Sequence, residues 1–146
     1  MKKIIKTILG LILSMSLALL IVWFWIPPWI AKGPIREFEK ACTDNNIQAI
    51  RANILPTSPF LKIFNKHNNQ FIEEYNKFKP GFEIKETSWT FMRNDINEGS
   101  IIIINAYIIK EAKIDNRGRE FDKVSIAYDN GRWKIERYYF PDFIDY

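Results

Sequence analysis

Residues 7–31 of this 146-residue chain carry no charged side chain, and that run limits the possible folds more than any other feature. Its most apolar part, residues 8–26, would span roughly 28 Å as a helix, close to the ~30 Å hydrocarbon thickness of a bilayer. A water-soluble helix needs a polar face for solvent, and here only Ser14 and Ser16 interrupt the run. Serine hydroxyls can bond back to the helix backbone, so both are compatible with lipid. The spacing therefore predicts a transmembrane anchor in residues 1–33, with lipid contact through residues 7–31, and one exported domain in residues 34–146.

Lys2, Lys3 and Lys6 precede the run, whereas only Lys32 and Arg36 follow closely. The lysine-rich start is expected to stay cytoplasmic, which places the domain in the periplasm or outside the cell. Trp23, Trp25 and Trp29 gather at the far end, where indoles favour the membrane interface. Pro27 and Pro28 are expected to stop or kink the helix there, since neither donates a backbone hydrogen bond. A cleaved secretory signal is the rival reading. Its apolar core is usually about 7–15 residues long, and a small-x-small site follows it. Trp29-Ile30-Ala31 supplies no such site, so retention is expected.

The formal net charge is +4, which would suggest a nucleic-acid partner if the excess lay on the folded domain. It does not. Residues 1–33 hold Lys2, Lys3, Lys6 and Lys32 with no acid, and residues 34–146 hold 17 basic and 17 acidic side chains. Nucleic-acid binding is not expected. Cys42 is the sole cysteine and His67 the sole histidine, too few for an internal disulfide or a zinc site. Cys42 reads as a small buried residue on a helix in preference to an intermolecular bridge, and no metal or cofactor is expected.

Gly33-Pro34 reads as a hinge, with Pro34 opening a helix in which Ile35, Phe38, Ala41 and Cys42 repeat. Thr43-Asp44-Asn45-Asn46 breaks that helix and caps a short one carrying Ile47, Ala49, Ile50 and Ile54. Ser58 and Pro59 start a third, striped with Phe60, Leu61, Phe64, Phe71, Ile72, Tyr75 and Phe78, and broken near His67-Asn68-Asn69. After Pro80-Gly81 the period becomes that of strands. Four are predicted, at about 82–93, 100–114, 121–128 and 132–140, joined by turns at 94–99, 115–118 and Asp129-Asn130-Gly131. Helices first and consecutive hairpins last imply an α+β fold with two or three helices packed on a curved four-stranded antiparallel sheet. The second strand is apolar on both faces. Its second face could meet the membrane-proximal segment, a partner or a second copy, or simply expose isoleucines.

Two stretches carry a resemblance. Arg36-Glu37-Phe38-Glu39-Lys40-Ala41 is followed by Asp44-Asn45-Asn46-Ile47-Gln48-Ala49-Ile50, and the chain closes on Val124-Ser125-Ile126-Ala127-Tyr128-Asp129-Asn130-Gly131-Arg132-Trp133-Lys134-Ile135. This resembles the nuclear-transport-factor-2-like (NTF2-like), cystatin-like group of small bacterial domains. The resemblance implies a sheet wrapped on helices as a cone able to hold a pocket. It also implies varied roles, among them isomerases and dehydratases, small-ligand binders, and membrane-anchored envelope components such as the inner-membrane scaffold of type IV secretion systems.

The sequence supplies no catalytic set. His67 lies in a polar stretch that reads as solvated surface. Glu86, Glu111 and Glu136 lie among polar neighbours or near strand ends, unlike the pocket carboxylate that an isomerase relative would use. Asn105 and Tyr107 share one face of the isoleucine-rich strand. They are the pocket polar residues if a pocket exists, and otherwise an outer-face pair or a structural hydrogen bond. Trp89 and Trp133 suit core or partner contact. The aromatic end, residues 138–146, either packs across the sheet, the reading favoured here, or offers a docking peptide. The expectation is a non-enzymatic envelope domain acting on a protein partner or on itself. A ligand-binding or isomerase-like pocket of the same fold is the alternative.

Overall fold

A computed structural model describes residues 2–93, 100–111 and 120–139, with side chains at 4–91, 102–111 and 122–139. The predicted turns at 94–99 and 115–118, the far end of the second strand and the chain end beyond Tyr139 lie outside the described residues.

The order is α1 (Lys2–Phe24), α2 (Ile26–Thr43), α3 (Ile47–Asn53), α4 (Pro59–Tyr75), then β1 (Glu83–Arg93), β2 (Ser100–Lys110), β3 (Glu120–Asp129) and β4 (Arg132–Tyr139). The strands form one antiparallel sheet in the order β1-β2-β3-β4. The α+β class expected from the change of period is the observed one.

Local chemistry accounts for most boundaries. The α1–α2 junction falls at Trp25, and Pro27 and Pro28 occupy the first turn of α2, where a missing N–H costs no helical bond. Gly33-Pro34 is not a break, contrary to expectation: α2 runs through it to Thr43. Pro34 costs a helix interior about 3 kcal/mol. Ala31, Ile35, Phe38 and Cys42, all fully buried on one face of α2, offset that cost by their burial. Asn45 (φ 51°) ends α2 in the left-handed region. The Asn46 N–H then donates to the Ala41 carbonyl and the Asn45 N–H to that of Cys42, closing the helix end. The Asn46 carboxamide oxygen in turn accepts from the Ala49 N–H at 3.0 Å and starts α3.

Ser58 caps α4 by accepting from the Phe60 N–H, and its own hydroxyl donates to the Glu136 carbonyl, tying the helix start to β4. His67 (φ −127°, ψ 29°) interrupts α4 where a break was expected. Asn130 (φ 46°) and Gly131 (φ 85°) make the tight β3–β4 turn, a geometry that only such residues adopt at low cost.

The core lies between α2, α4 and one face of the sheet. Ile104, Ala106, Ile108, Val124, Ile126 and Ile135 face the helices. Six rings fill the space between the layers. Phe38 stacks on Tyr138 with centroids 5.5 Å apart, and Phe71 stands edge-on to Phe60 and Phe64 at the same separation. Phe71 also stacks on Tyr75 at 6.1 Å. Rings at these offsets gain quadrupole attraction beyond their buried area. The other face of β2 is partly covered as well: Ile103 packs with Leu55 and Ala127, and Ile109 is buried. Leu55 reaches that face because its N–H donates to the Ile135 carbonyl beside β4, at 2.8 Å.

Candidate functional site

Three groups of residues carry the chain's chemical character: the apolar helix with its aromatic end, a charged cluster in the core, and an aromatic row at one end of the sheet.

The first begins with α1, whose large apolar side chains are 46–74% exposed along its whole length. An 18-residue window reaches a mean hydropathy of 2.4 with none of it buried, so this helix is long and apolar enough to cross a membrane. Ser14 and Ser16 donate to the carbonyls of Leu11 and Ile12, so no hydroxyl is left to seek water. Trp23, Trp25 and Trp29 are 52, 77 and 79% exposed. Beside them a recess of about 570 Å³ runs between Phe24, Trp25, Pro28, Trp29 and Lys32 on one side and Phe82, Glu83 and Ile84 on the other.

In the core, the Lys110 ammonium lies 3.1 Å from the Glu39 carboxylate, and both residues are buried. The same carboxylate oxygen accepts from the Gly81 N–H at 2.9 Å. The ammonium also stands 3.5 Å from the centroid of the Tyr75 ring, a cation–π geometry. Nearby, the Tyr138 hydroxyl donates to Asp122 at 2.8 Å. Burial pushes the Cys42 thiol far above its ordinary pKa, with Lys110 opposing and Glu39 adding to the rise. Burial likewise lifts the Tyr75 and Tyr138 phenols well above 10. It lowers Lys110, while Glu39 pulls that pKa back up. Each ionised group of the central pair thus has its counter-charge at contact distance, which is the condition for leaving water.

Sequence reasoning passed over this cluster, although a signal was present. Glu39 falls on the buried stripe of α2, and Lys110 continues the inward-facing series Ile104, Ala106, Ile108. A charge on a buried face needs a partner. Only the fold shows that these two, 71 positions apart, are partners.

Asn105 and Tyr107 do share a face of β2, and it is the face turned away from the helices. The Asn105 amide donates to the Thr90 hydroxyl at 2.7 Å and accepts from the Ser125 hydroxyl at 2.7 Å, joining three strands. Tyr107 is 37% exposed, with the Lys123 ammonium 5.8 Å from its ring centroid. Neither belongs to the ring-filled interior. His67 sits at the α4 kink, on the helix rather than in the charged cluster. Among the described residues, no three His, Cys, Asp or Glu side chains converge as a metal would require.

The aromatic row lies beyond the helices on the helix-facing side of the sheet. Phe91, opposite Ile102, stacks on Trp89 at 6.4 Å with 12° between the planes. Tyr128, opposite Trp133, meets it edge-on at 5.3 Å. Phe91, Tyr128 and Ile102 are 63, 53 and 40% exposed, while Trp89 and Trp133 are half-buried against the core. The row therefore crosses all four strands with its rings supported from below.

Comparison with protein-family models, curated proteins and solved structures finds no match for this chain.

Proposed function

We propose that this chain is a bacterial envelope protein held in the inner membrane by α1, with its N-terminus cytoplasmic and its domain periplasmic or extracellular, and that the domain works through protein contacts rather than catalysis. One observation carries the reading. An apolar helix that finds no protein cover joins directly to a domain whose interior is already occupied by its own rings. The first part asks for lipid. The second leaves the outer surface as the place for recognition, because a ligand-holding cone needs open volume lined by converging polar groups. Phe38, Phe71, Tyr75 and Tyr138 stand in that volume here, and the charged groups among them are engaged with one another.

The helix-then-meander order supports kinship with the NTF2-like, cystatin-like domains, and the membrane-anchored members of that group suit the reading best. The aromatic row at Phe91, Ile102 and Tyr128 is the contact surface. Large supported rings are the usual anchors of protein interfaces, and contiguous exposed apolar side chains are uncommon on isolated domains.

A photo-crosslinking residue at Phe91 or Tyr128 of the full chain, expressed in intact cells, tests this. The expected result is a discrete protein adduct from both positions and none from Glu73, an exposed position on α4. Equal adducts from all three, or none, would refute it.

A further inference from the structure

The solvent side of α2 is patterned in a way that a merely soluble surface would not require. At 100° per residue, Trp25, Trp29, Lys32, Arg36 and Lys40 fall within about 80° of arc. All five are exposed, and the buried stripe of Pro27, Ala31, Ile35, Phe38 and Cys42 faces the other way. Two indoles come first, then three cations at successive turns. Among the described residues, none of the three cations has an acid within ion-pair distance. Among the described residues, the carboxylate that lines the neighbouring recess, that of Glu83, is 2.6 Å from the Lys85 ammonium and so is already compensated.

Position along the axis matters as much as arc. Lys32 stands about 4.5 Å, and Arg36 about 10.5 Å, further along the helix than Trp29. A headgroup layer is roughly 5–7 Å deep on each side of the hydrocarbon. With the indoles at the hydrocarbon boundary, Lys32 lies at phosphate depth, and Arg36 reaches it by bending its stem back along the helix. On the flank, Phe82 and Ile84 line the same recess as Trp25 and Trp29 and give it an apolar side.

We infer that the Trp25–Trp29–Lys32–Arg36 face of α2, with the recess beside β1, is a binding site for an anionic phospholipid, its phosphate held by Lys32 and Arg36 and its upper acyl chain lying against Phe82 and Ile84. The inference rests on α1 spanning a bilayer but does not depend on which leaflet the domain adjoins. Its consequence is mechanical: the folded domain itself grips lipid and is held close against the membrane rather than swinging from a tether. That fits a chain in which α2 belongs to both the span's continuation and the core.

Native mass spectrometry of the detergent-purified full chain, titrated with phosphatidylglycerol or phosphatidylcholine of the same acyl composition, tests the site. Phosphatidylglycerol is expected to be retained at least about tenfold better, and the preference to fall about fivefold with Lys32→Gln and again with Arg36→Gln. Lys62→Gln, on the exposed side of α4, should leave it unchanged. Equal retention of the two lipids, or a preference indifferent to both substitutions, overturns the site. So does displacement of the lipid by millimolar inorganic phosphate, which would make it a site for the free ion. Sedimentation of the same proteins with carbonate-washed membranes separates the two levels of the argument. A full chain that stays in the supernatant refutes the anchor, whereas a sedimenting chain without lipid preference refutes only this site.

Discussion

Replacing Lys110 by Met puts the central claim about the core at risk. Lys110 and Glu39 are 2% and 7% exposed, and their charges are 3.1 Å apart. Met keeps most of the lysine's length and apolar stem, so packing against Tyr75 is largely preserved. What disappears is the charge. The Glu39 carboxylate is then left buried with the Gly81 N–H as its donor among the described contacts. Breaking a buried pair from one side costs about 3–5 kcal/mol, because one ion stays desolvated without its counter-charge. A domain of this size has only about 5–15 kcal/mol of stability to lose.

Glu39→Gln added to Lys110→Met removes the stranded charge and keeps an amide oxygen for the Gly81 N–H. The double variant should recover at least about 2 kcal/mol relative to Lys110→Met alone, since neutral replacement of a buried pair is often nearly harmless. Urea unfolding of the full chain in mild detergent, followed by near-ultraviolet circular dichroism, measures both. With a slope of about 1.5 kcal/mol per molar urea, the single variant's midpoint should fall by about 2–3 M and the double variant's by clearly less. If the double variant is no more stable than Lys110→Met, uncompensated charge is not what that substitution creates, and the account of the cluster is wrong.

Other expectations follow from the same contacts. The Cys42, Tyr75 and Tyr138 pKa values are raised in the folded state, so their contribution is intact below the ordinary values of 9 to 10 and is lost as pH rises above them. Lys110, lowered when folded, opposes this up to its ordinary 10.5. Above that pH the urea midpoint should fall as pH rises, and Tyr138→Phe should flatten that slope. Phe71→Ala removes the ring that touches Phe38, Phe60, Phe64, Tyr75 and Tyr138 and should cost about 3–5 kcal/mol by the same unfolding assay. Gly131→Ala forces a Cβ onto φ 85° and should cost about 1–2 kcal/mol without altering lipid retention. The native thiol is buried, so a membrane-impermeant maleimide should not label the wild-type chain in intact cells, whereas Glu73→Cys should label; labelling only after lysis would reverse the proposed topology.

What could be read from the sequence is what neighbouring residues decide among themselves. Asn130-Gly131 names its turn because both residues tolerate positive φ, and Ser58-Pro59 names a helix start because one accepts from the first free N–H while the other has none to lose. The charge-free run marks, by composition alone, a helix long and apolar enough to cross a membrane. The change of period after Gly81 separates helices from strands, and with three successive hairpins it yields the class and the strand order.

Tertiary structure decided where distant parts compete or pair. Pro34 looked like a helix start, yet burial of Ala31, Ile35 and Phe38 against the sheet carries α2 straight through it, a gain that no local pattern registers. Asn105 could have faced a pocket or the outside. The pleat makes it a neighbour of Tyr107 on either reading, and only the placement of the helices shows that the face is the outer one. Glu39 and Lys110 are each an anomaly in one dimension and an explanation in three, because a charge leaves water only where its opposite is waiting, and the chain brings the two together by folding.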